Sequence, residues 1–215
     1  MGFGWLLIGY FFANIMSLYS PLSVAMLVGY PLMICGLYRL APYHRYFHFF
    51  FYYSFASLPF ALYFSVFGLS QLLPTLQFSF LTGGFYTAME WLYFVFSLGF
   101  QALLLLSVAG ITKELGLLSI QSSAWRNLIM VGLYYLLDGF ARLPIPWIVA
   151  HKGIFSLSLI LLRLCFILFN MYLIFKCYRH ICPEGDQDMP DPVKRKKSKE
   201  ALSDTHAKED HADEQ

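Results

Sequence analysis

The stretch Leu133–Trp147, LYYLLDGFARLPIPW, decides how the chain is read. It places an acid, Asp138, and a base, Arg142, one helical turn apart within a segment otherwise apolar enough to lie in a lipid bilayer. At the centre of a spanning helix an ionisable group costs at least ~2.5–3.5 kcal/mol on insertion scales unless it is paired or hydrated. Whatever surrounds this segment must therefore satisfy both charges.

Composition places the rest of the chain in the same environment. Of 215 residues, 58% are hydrophobic, 19% are aromatic and only 13% are charged, with a mean hydropathy of +0.57. Soluble domains carry about one quarter charged residues, so this is the composition of a membrane protein. The formal charge of +2 conceals a division. Residues 1–182 hold nine Lys and Arg against Glu90, Glu114 and Asp138, whereas residues 183–215 hold six against ten acids. Four cysteines, Cys35, Cys165, Cys177 and Cys182, are too few for a disulfide framework and are read as reduced. The first apolar run has no Lys or Arg before it and no small-residue cleavage site after it, so it is expected to be a retained span.

A span needs ~20 apolar residues, with ~17 as the lower bound. Six runs meet that requirement, at 2–18, 22–40, 46–69, 85–111, 127–149 and 153–175, and the expected fold is an all-α integral membrane protein with a six-helix transmembrane bundle. Ser20-Pro21 separates the first two. Ala25, Gly29 and Gly36 make a small-residue face on the second, and Ser57, Ala61, Ser65 and Gly68 make another on the third; such faces let a neighbouring helix come close. Pro31 and Pro59 are expected to bend their helices. Residues 70–84 carry no charge and are read as an interfacial loop, and Thr112–Arg126 as an inner loop.

Polar residues recur at helical spacing in the last three runs. Glu90, Ser97 and Gln101 share a face of the fourth, and Ser156, Arg163 and Asn170 follow at seven-residue intervals along the sixth. At ~1.5 Å per residue, Asp138 and Arg163 both lie near the midplane of a ~30 Å core, and an Asp138–Arg163 pair is expected between adjacent antiparallel helices. Glu90 and Arg142, ~7–9 Å below the outer surface, form a second expected pair. Asp138 and Arg142 can also pair locally at i, i+4. The embedded charges sum to zero.

With the N-terminus inside, the inner side holds Arg39, Arg45, Lys113, Arg126, Lys176 and Arg179, and the outer side only Lys152. The excess of Lys and Arg on cytoplasmic loops thus puts both termini inside a cell membrane. The tail, 183–215, lacks aromatics and is expected to be disordered and cytoplasmic. Its basic run, Lys194, Arg195, Lys196, Lys197 and Lys199, can attract anionic lipid headgroups at ~1 kcal/mol per charge, an attraction that its acidic flanks weaken.

Catalytic signatures are missing from the sequence: there is no H-E-x-x-H, G-x-S-x-G, Walker loop or Gly-rich dinucleotide fingerprint. His44 and His48 stand four apart on one face, as metal ligands could, but no carboxylate or cysteine accompanies them locally, and Cys177, His180 and Cys182 do not match zinc-ligand spacings, so neither a metal nor a cofactor is expected, nor a nucleic-acid partner. The aromatic excess reads as lipid-facing bulk and interfacial belts, not as a cofactor box. Two functional classes are compatible with the intramembrane set Glu90, Gln101, Asp138, Arg142, Arg163 and Asn170. In the first, a non-enzymatic scaffold or accessory subunit, these residues fix helix packing and the spans contact a membrane-protein partner or a second copy. In the second, a small transporter or proton-coupled permease, Asp138, Arg142 and Arg163 line a wet interior.

The opening GFGWLLIGYFFANIMSL and the exit segment RHICPEGDQDMP resemble those of small uncharacterised multi-pass membrane proteins of Gram-positive bacteria. The resemblance implies about six spans in a cytoplasmic membrane and carries no activity or ligand with it.

Overall fold

In the computed structural model, which describes residues 2–73, 83–143 and 152–181, every element is helical. Helix α1 is Gly2–Asn14; two short 3-10 turns, Met16–Leu18 and Ser20–Ala25, reverse the chain around Pro21 into α2, Met26–Leu40. Next come α3, Arg45–Phe55, and α4, Ser57–Leu72, followed by α5, Gly84–Glu114, α6, Leu118–Ala141, and α7, Lys152–Ile181. Residues 2–181 belong to one compact unit. Most of the 70–84 loop, residues 144–151 and the whole tail with its basic run lie outside the described residues.

Four stretches are long and apolar enough to cross a membrane: Leu22–Leu40, Arg45–Leu72, Gly84–Glu114 and Phe155–Ile181. Gly2–Leu18 is apolar but shorter, and α6 is long but more polar. The expected third run is two helices, interrupted at Ala56. Pro59 explains the position of the break: it offers no N–H to the Phe55 carbonyl four residues back, and its ring crowds that carbonyl. The Ala56 N–H bonds to Tyr53 O at 3.1 Å, a tighter, three-residue closure.

The expected loop Thr112–Arg126 shrinks to Leu115–Leu117. Gly116, at φ +71°, ends α5 in a Schellman motif, with Leu117 N donating to Thr112 O at 2.9 Å and Gly116 N to Lys113 O at 3.2 Å. Residues 118–126 then form the first turns of α6. Ile120, Ala124 and Asn127 are buried on one face, and the serines and Arg126 that suggested a loop lie on the others. At its far end α6 closes at Ala141, with Arg142 as a C-cap still in the helical region, its N–H bonded to Asp138 O at 3.2 Å. Residues 144–149 of the expected run lie outside the described residues.

The closest packing is between α1 and α2, which run antiparallel on facing glycines. A Cβ on Gly29 would lie 2.5 Å from Ala13 N, one on Gly36 2.8 Å from Gly2 O, and one on Gly9 2.6 Å from Gly29 O. The close approach expected at Gly29 and Gly36 thus occurs, with α1 as the partner. The second small-residue face, Ser57, Ala61, Ser65 and Gly68, is buried as well, and Ser23 reaches across to Phe64 O at 2.6 Å while Ser65 donates to Ser23 O at 3.2 Å.

Aromatic side chains are not confined to the periphery. Phe3, Phe47, Phe50 and Phe100 are fully or almost fully buried, and Tyr53 stacks on Phe96 at 5.0 Å with Phe60 on its neighbouring side at 5.1 Å. The reading of aromatics as lipid-facing bulk therefore fails for the α3–α5 core, where ring-on-ring packing fills the space between helices.

Gly29→Ala should lower stability in detergent by about 1–3 kcal/mol, because its methyl meets backbone that cannot step aside. Gly132→Ala on α6, where a Cβ meets nothing within 4 Å, should be neutral or stabilising by up to ~1 kcal/mol. Paired thermal melts separate the two; equal effects would remove backbone contact as the reason for Gly29.

Candidate functional site

Four helices meet at a buried cluster of amides and one phenol. Asn170 of α7 donates from Nδ2 to Tyr10 Oη of α1 at 3.2 Å and to Gln101 Oε1 of α5 at 3.3 Å. Tyr10 Oη donates to the same Gln101 oxygen at 2.9 Å. Gln101 Nε2 donates to Asn14 Oδ1 at 3.0 Å, and Asn14 Nδ2 returns to Tyr10 O at 3.1 Å. From α6, Asn127 Nδ2 donates to Asn170 Oδ1 at 3.2 Å. Tyr10, Gln101, Asn127 and Asn170 are all at most 4% exposed, so no bulk water competes for these groups. In such surroundings a polar group left without a partner costs ~1–3 kcal/mol, and every side chain of the cluster hydrogen-bonds to at least one other member.

Gln101 and Asn170, expected from their spacing, are thus brought together. Tyr10, Asn14 and Asn127 were not foreseen. The available signal was an amide inside an apolar run, Asn14 one turn beyond Tyr10, and Asn127 at the edge of a run whose true start is nine residues earlier.

The charged residues are arranged differently from expectation. Asp138 pairs with Arg142 on its own helix, Oδ2 to Nε at 3.2 Å, rather than with Arg163. A pair one turn apart needs only two rotamers to be fixed, whereas an interhelical pair must also fix the relative placement of two helices. Arg142 also lies over the rings of Trp91 and Phe94, with its guanidinium carbon 5.7 and 5.1 Å from their centres. It therefore reaches α5, but through aromatic faces; Glu90 instead accepts from Tyr86 Oη at 3.1 Å. The expected Glu90–Arg142 pair is not formed.

The stripe on α7 divides along its length. Asn170 is buried and Arg163 is partly buried, but Ser156 is exposed and bonds only to Gly153 O at 3.0 Å. Near Arg163 stand the hydroxyls of Tyr134, Tyr93 and Tyr135, with Asp138 the weaker electrostatic neighbour. Tyr93 Oη shares a hydrogen bond with Tyr30 Oη at 3.1 Å, and Tyr135 Oη shares one with Ser97 Oγ at 2.5 Å. Ser97 thus faces the interior as its spacing suggested.

Where α2 turns into α3, the His44 ring packs on Gly110, its Nδ1 accepts Tyr46 N–H at 3.1 Å, and its Nε2 lies 3.7 Å from Glu114. His180 Nδ1 is 2.9 Å from Lys176 O. Among the described residues no three His, Cys, Asp or Glu side chains converge as a metal site would need; Cys182 lies outside them.

No family model, curated protein or solved structure matches this chain.

Asn170→Leu should cost about 1–3 kcal/mol, since it strips partners from Tyr10, Gln101 and Asn127 together. Asp138→Asn should cost less than ~1 kcal/mol, because its local pair is partly open to the surroundings. Denaturation of both variants in the same detergent gives the ranking, and the reverse order would make the charges, not the amides, the main tie between helices.

Proposed function

We propose that the chain is a non-enzymatic integral membrane protein that crosses the cytoplasmic membrane six times and serves as a scaffold or accessory subunit of a membrane complex. The observation that carries this reading is the distribution of polarity. Gln101, Asn127 and Asn170 face one another inside, whereas Ile129, Leu133, Leu136 and Phe140 of α6, and Leu157, Ile160, Leu161 and Leu168 of α7, face outward. A chain surrounded by water would gain by the opposite arrangement, and apolar faces of this extent belong against lipid or another protein.

Crossings by the two less obvious helices have specific support. Helix α1 lies along the whole of α2, with Gly2 near Leu40 at one end and Ala13 near Gly29 at the other, so it reaches through the same depth. Helix α6, ~36 Å long at ~1.5 Å per residue, is tied to α5 through Tyr135–Ser97 and to α7 through Asn127–Asn170.

Orientation with both termini inside rests on charge. His44 meets Glu114, and Lys176 and His180 line one groove with Gly116–Ile120. The α2–α3 turn, the α5–α6 turn and the end of α7 therefore gather at one end of the bundle, and with them Arg39, Arg45, Lys113, Lys176 and Arg179. The excess of Lys and Arg on cytoplasmic segments makes that end the inner one. The partner role rests on the outward faces of α6 and α7, which the other described residues leave uncovered. The amides of the interior cluster take their hydrogen-bond partners from one another and from Tyr10.

In a cysteine-free background, Ser119→Cys should be shielded from a membrane-impermeant maleimide added to intact cells, and Lys152→Cys should be labelled. Co-purification from native membranes should yield a stoichiometric partner or a defined homo-oligomer. A stable monomer without a partner would overturn the scaffold role, and reversed labelling would overturn the orientation.

A further inference from the structure

The α5–α6 turn and the last turns of α7 frame a groove of about 290 Å³, lined by residues 116–120 on one side and by Lys176 and His180 on the other. The two basic side chains stand one turn apart on α7. His180 Nδ1 donates to Lys176 O at 2.9 Å, which fixes the ring and leaves Nε2 for a ligand. Lys176 Nζ lies 5.1 Å from the centre of the Tyr172 ring, one turn further into the bundle on the same helix. No acid answers either group: among the described residues Asp138 pairs with Arg142, Glu90 accepts from Tyr86, and Glu114 faces His44 at 3.7 Å. Lys113 and Arg179 are exposed at the same end and add to its positive field.

The groove opens onto an apolar track. Lys176, Tyr172 and Leu168 follow at four-residue steps along one face of α7, and Tyr172 and Leu168 are 58% and 51% exposed. Leu118, in the opposite wall of the groove, is 72% exposed. From Lys176 to Leu168 the track runs ~12 Å along the helix axis. Ligand pockets span about 300–1,000 Å³, so this groove is the size of a headgroup rather than of a whole lipid. A basic recess between spanning helices, with an uncovered apolar strip leading from it towards the middle of the bundle, matches a molecule that is anionic at one end and hydrocarbon at the other. A free anion would use the first feature and leave the second idle.

We infer that this groove binds the headgroup phosphate of an anionic phospholipid, with Lys176 as its main ligand, protonated His180 as the second, and an acyl chain lying along Tyr172 and Leu168. The inference rests on the reading of the chain as a membrane bundle. It is separate from any attraction of lipid by the basic run of residues 194–199, because both ligands belong to α7.

The test uses the full chain purified in dodecylmaltoside and carrying Lys194→Gln, Arg195→Gln, Lys196→Gln, Lys197→Gln and Lys199→Gln, which silence that run. Phosphatidylglycerol is titrated into the micelles in parallel with phosphatidylcholine of the same chains, and the melting temperature is read by tryptophan fluorescence. Saturable stabilisation by phosphatidylglycerol alone is expected. Lys176→Gln should weaken it by about 5-fold and His180→Gln by about 2–5-fold, as for one charge near an anionic surface. Lys113→Gln, which removes a charge from the same end but outside the groove, should change it by less than about 2-fold. No saturable response to phosphatidylglycerol, or an equal one to phosphatidylcholine, would overturn the site. Equal losses in Lys113→Gln and Lys176→Gln would replace the groove by diffuse attraction, and saturation by inorganic phosphate at the same affinity would overturn the lipid assignment. If Lys176→Gln does not fold, His180→Gln decides: an unchanged affinity overturns the assignment. Binding in detergent does not depend on which end of the bundle faces the cytoplasm or on a protein partner, so its failure is distinct from reversed cysteine labelling and from isolation as a monomer.

Discussion

A buried amide has one way to avoid the cost of lost solvation, which is to find another polar group, and in this bundle that requirement ties four helices to one point. Asn170 is the centre of the arrangement because an amide both donates and accepts. Its nitrogen reaches Tyr10 and Gln101 while its oxygen holds Asn127. Shifting α1, α5 or α7 by a single residue, ~1.5 Å along its axis, would stretch three of these bonds at once, and shifting α6 would stretch the Asn127–Asn170 bond. Apolar packing alone tolerates such sliding, since leucine against leucine is nearly the same one step on. The cluster therefore sets register, and the surrounding side chains fill volume.

The same cluster explains the glycines of α1 and α2. Tyr10 and Asn14 reach Gln101 only if α1 lies deep in the bundle, and α1 can lie there only because Gly2, Gly9, Gly29 and Gly36 let its backbone touch that of α2. A helix of 13 residues has little intrinsic stability of its own. Its place is secured by contact on one side and hydrogen bonds on the other.

The all-helical class, the small-residue faces and two members of the cluster were legible in the sequence, since each depends on spacing along one helix. Gln101 and Asn170 stand out as polar side chains at helical intervals in apolar runs. Partners across helices were not legible. Tyr10 is one of 15 tyrosines, and nothing local distinguishes it from those at the periphery, such as Tyr38, which is 69% exposed. Asn127 was hidden by its polar neighbours, because a span read by hydropathy begins where polarity ends, whereas α6 begins at the glycine turn. The charges misled for a different reason. Depth along two helices makes Asp138 and Arg163 plausible partners, but depth says nothing about azimuth, and the local i, i+4 pair needs no second helix to be in place.

The interior consequently has two levels of different character. At Asn170 and Gln101 donors and acceptors balance, and the groups belong to neutral side chains whose association leaves no net charge in the bundle. Two helical turns along α7, ~10 Å away, Arg163 introduces a full positive charge among hydroxyls that bear none. If the bundle needed only a rigid core, a second amide or a leucine at that position would serve at lower cost, because replacing buried ionic groups by apolar ones is often neutral or stabilising.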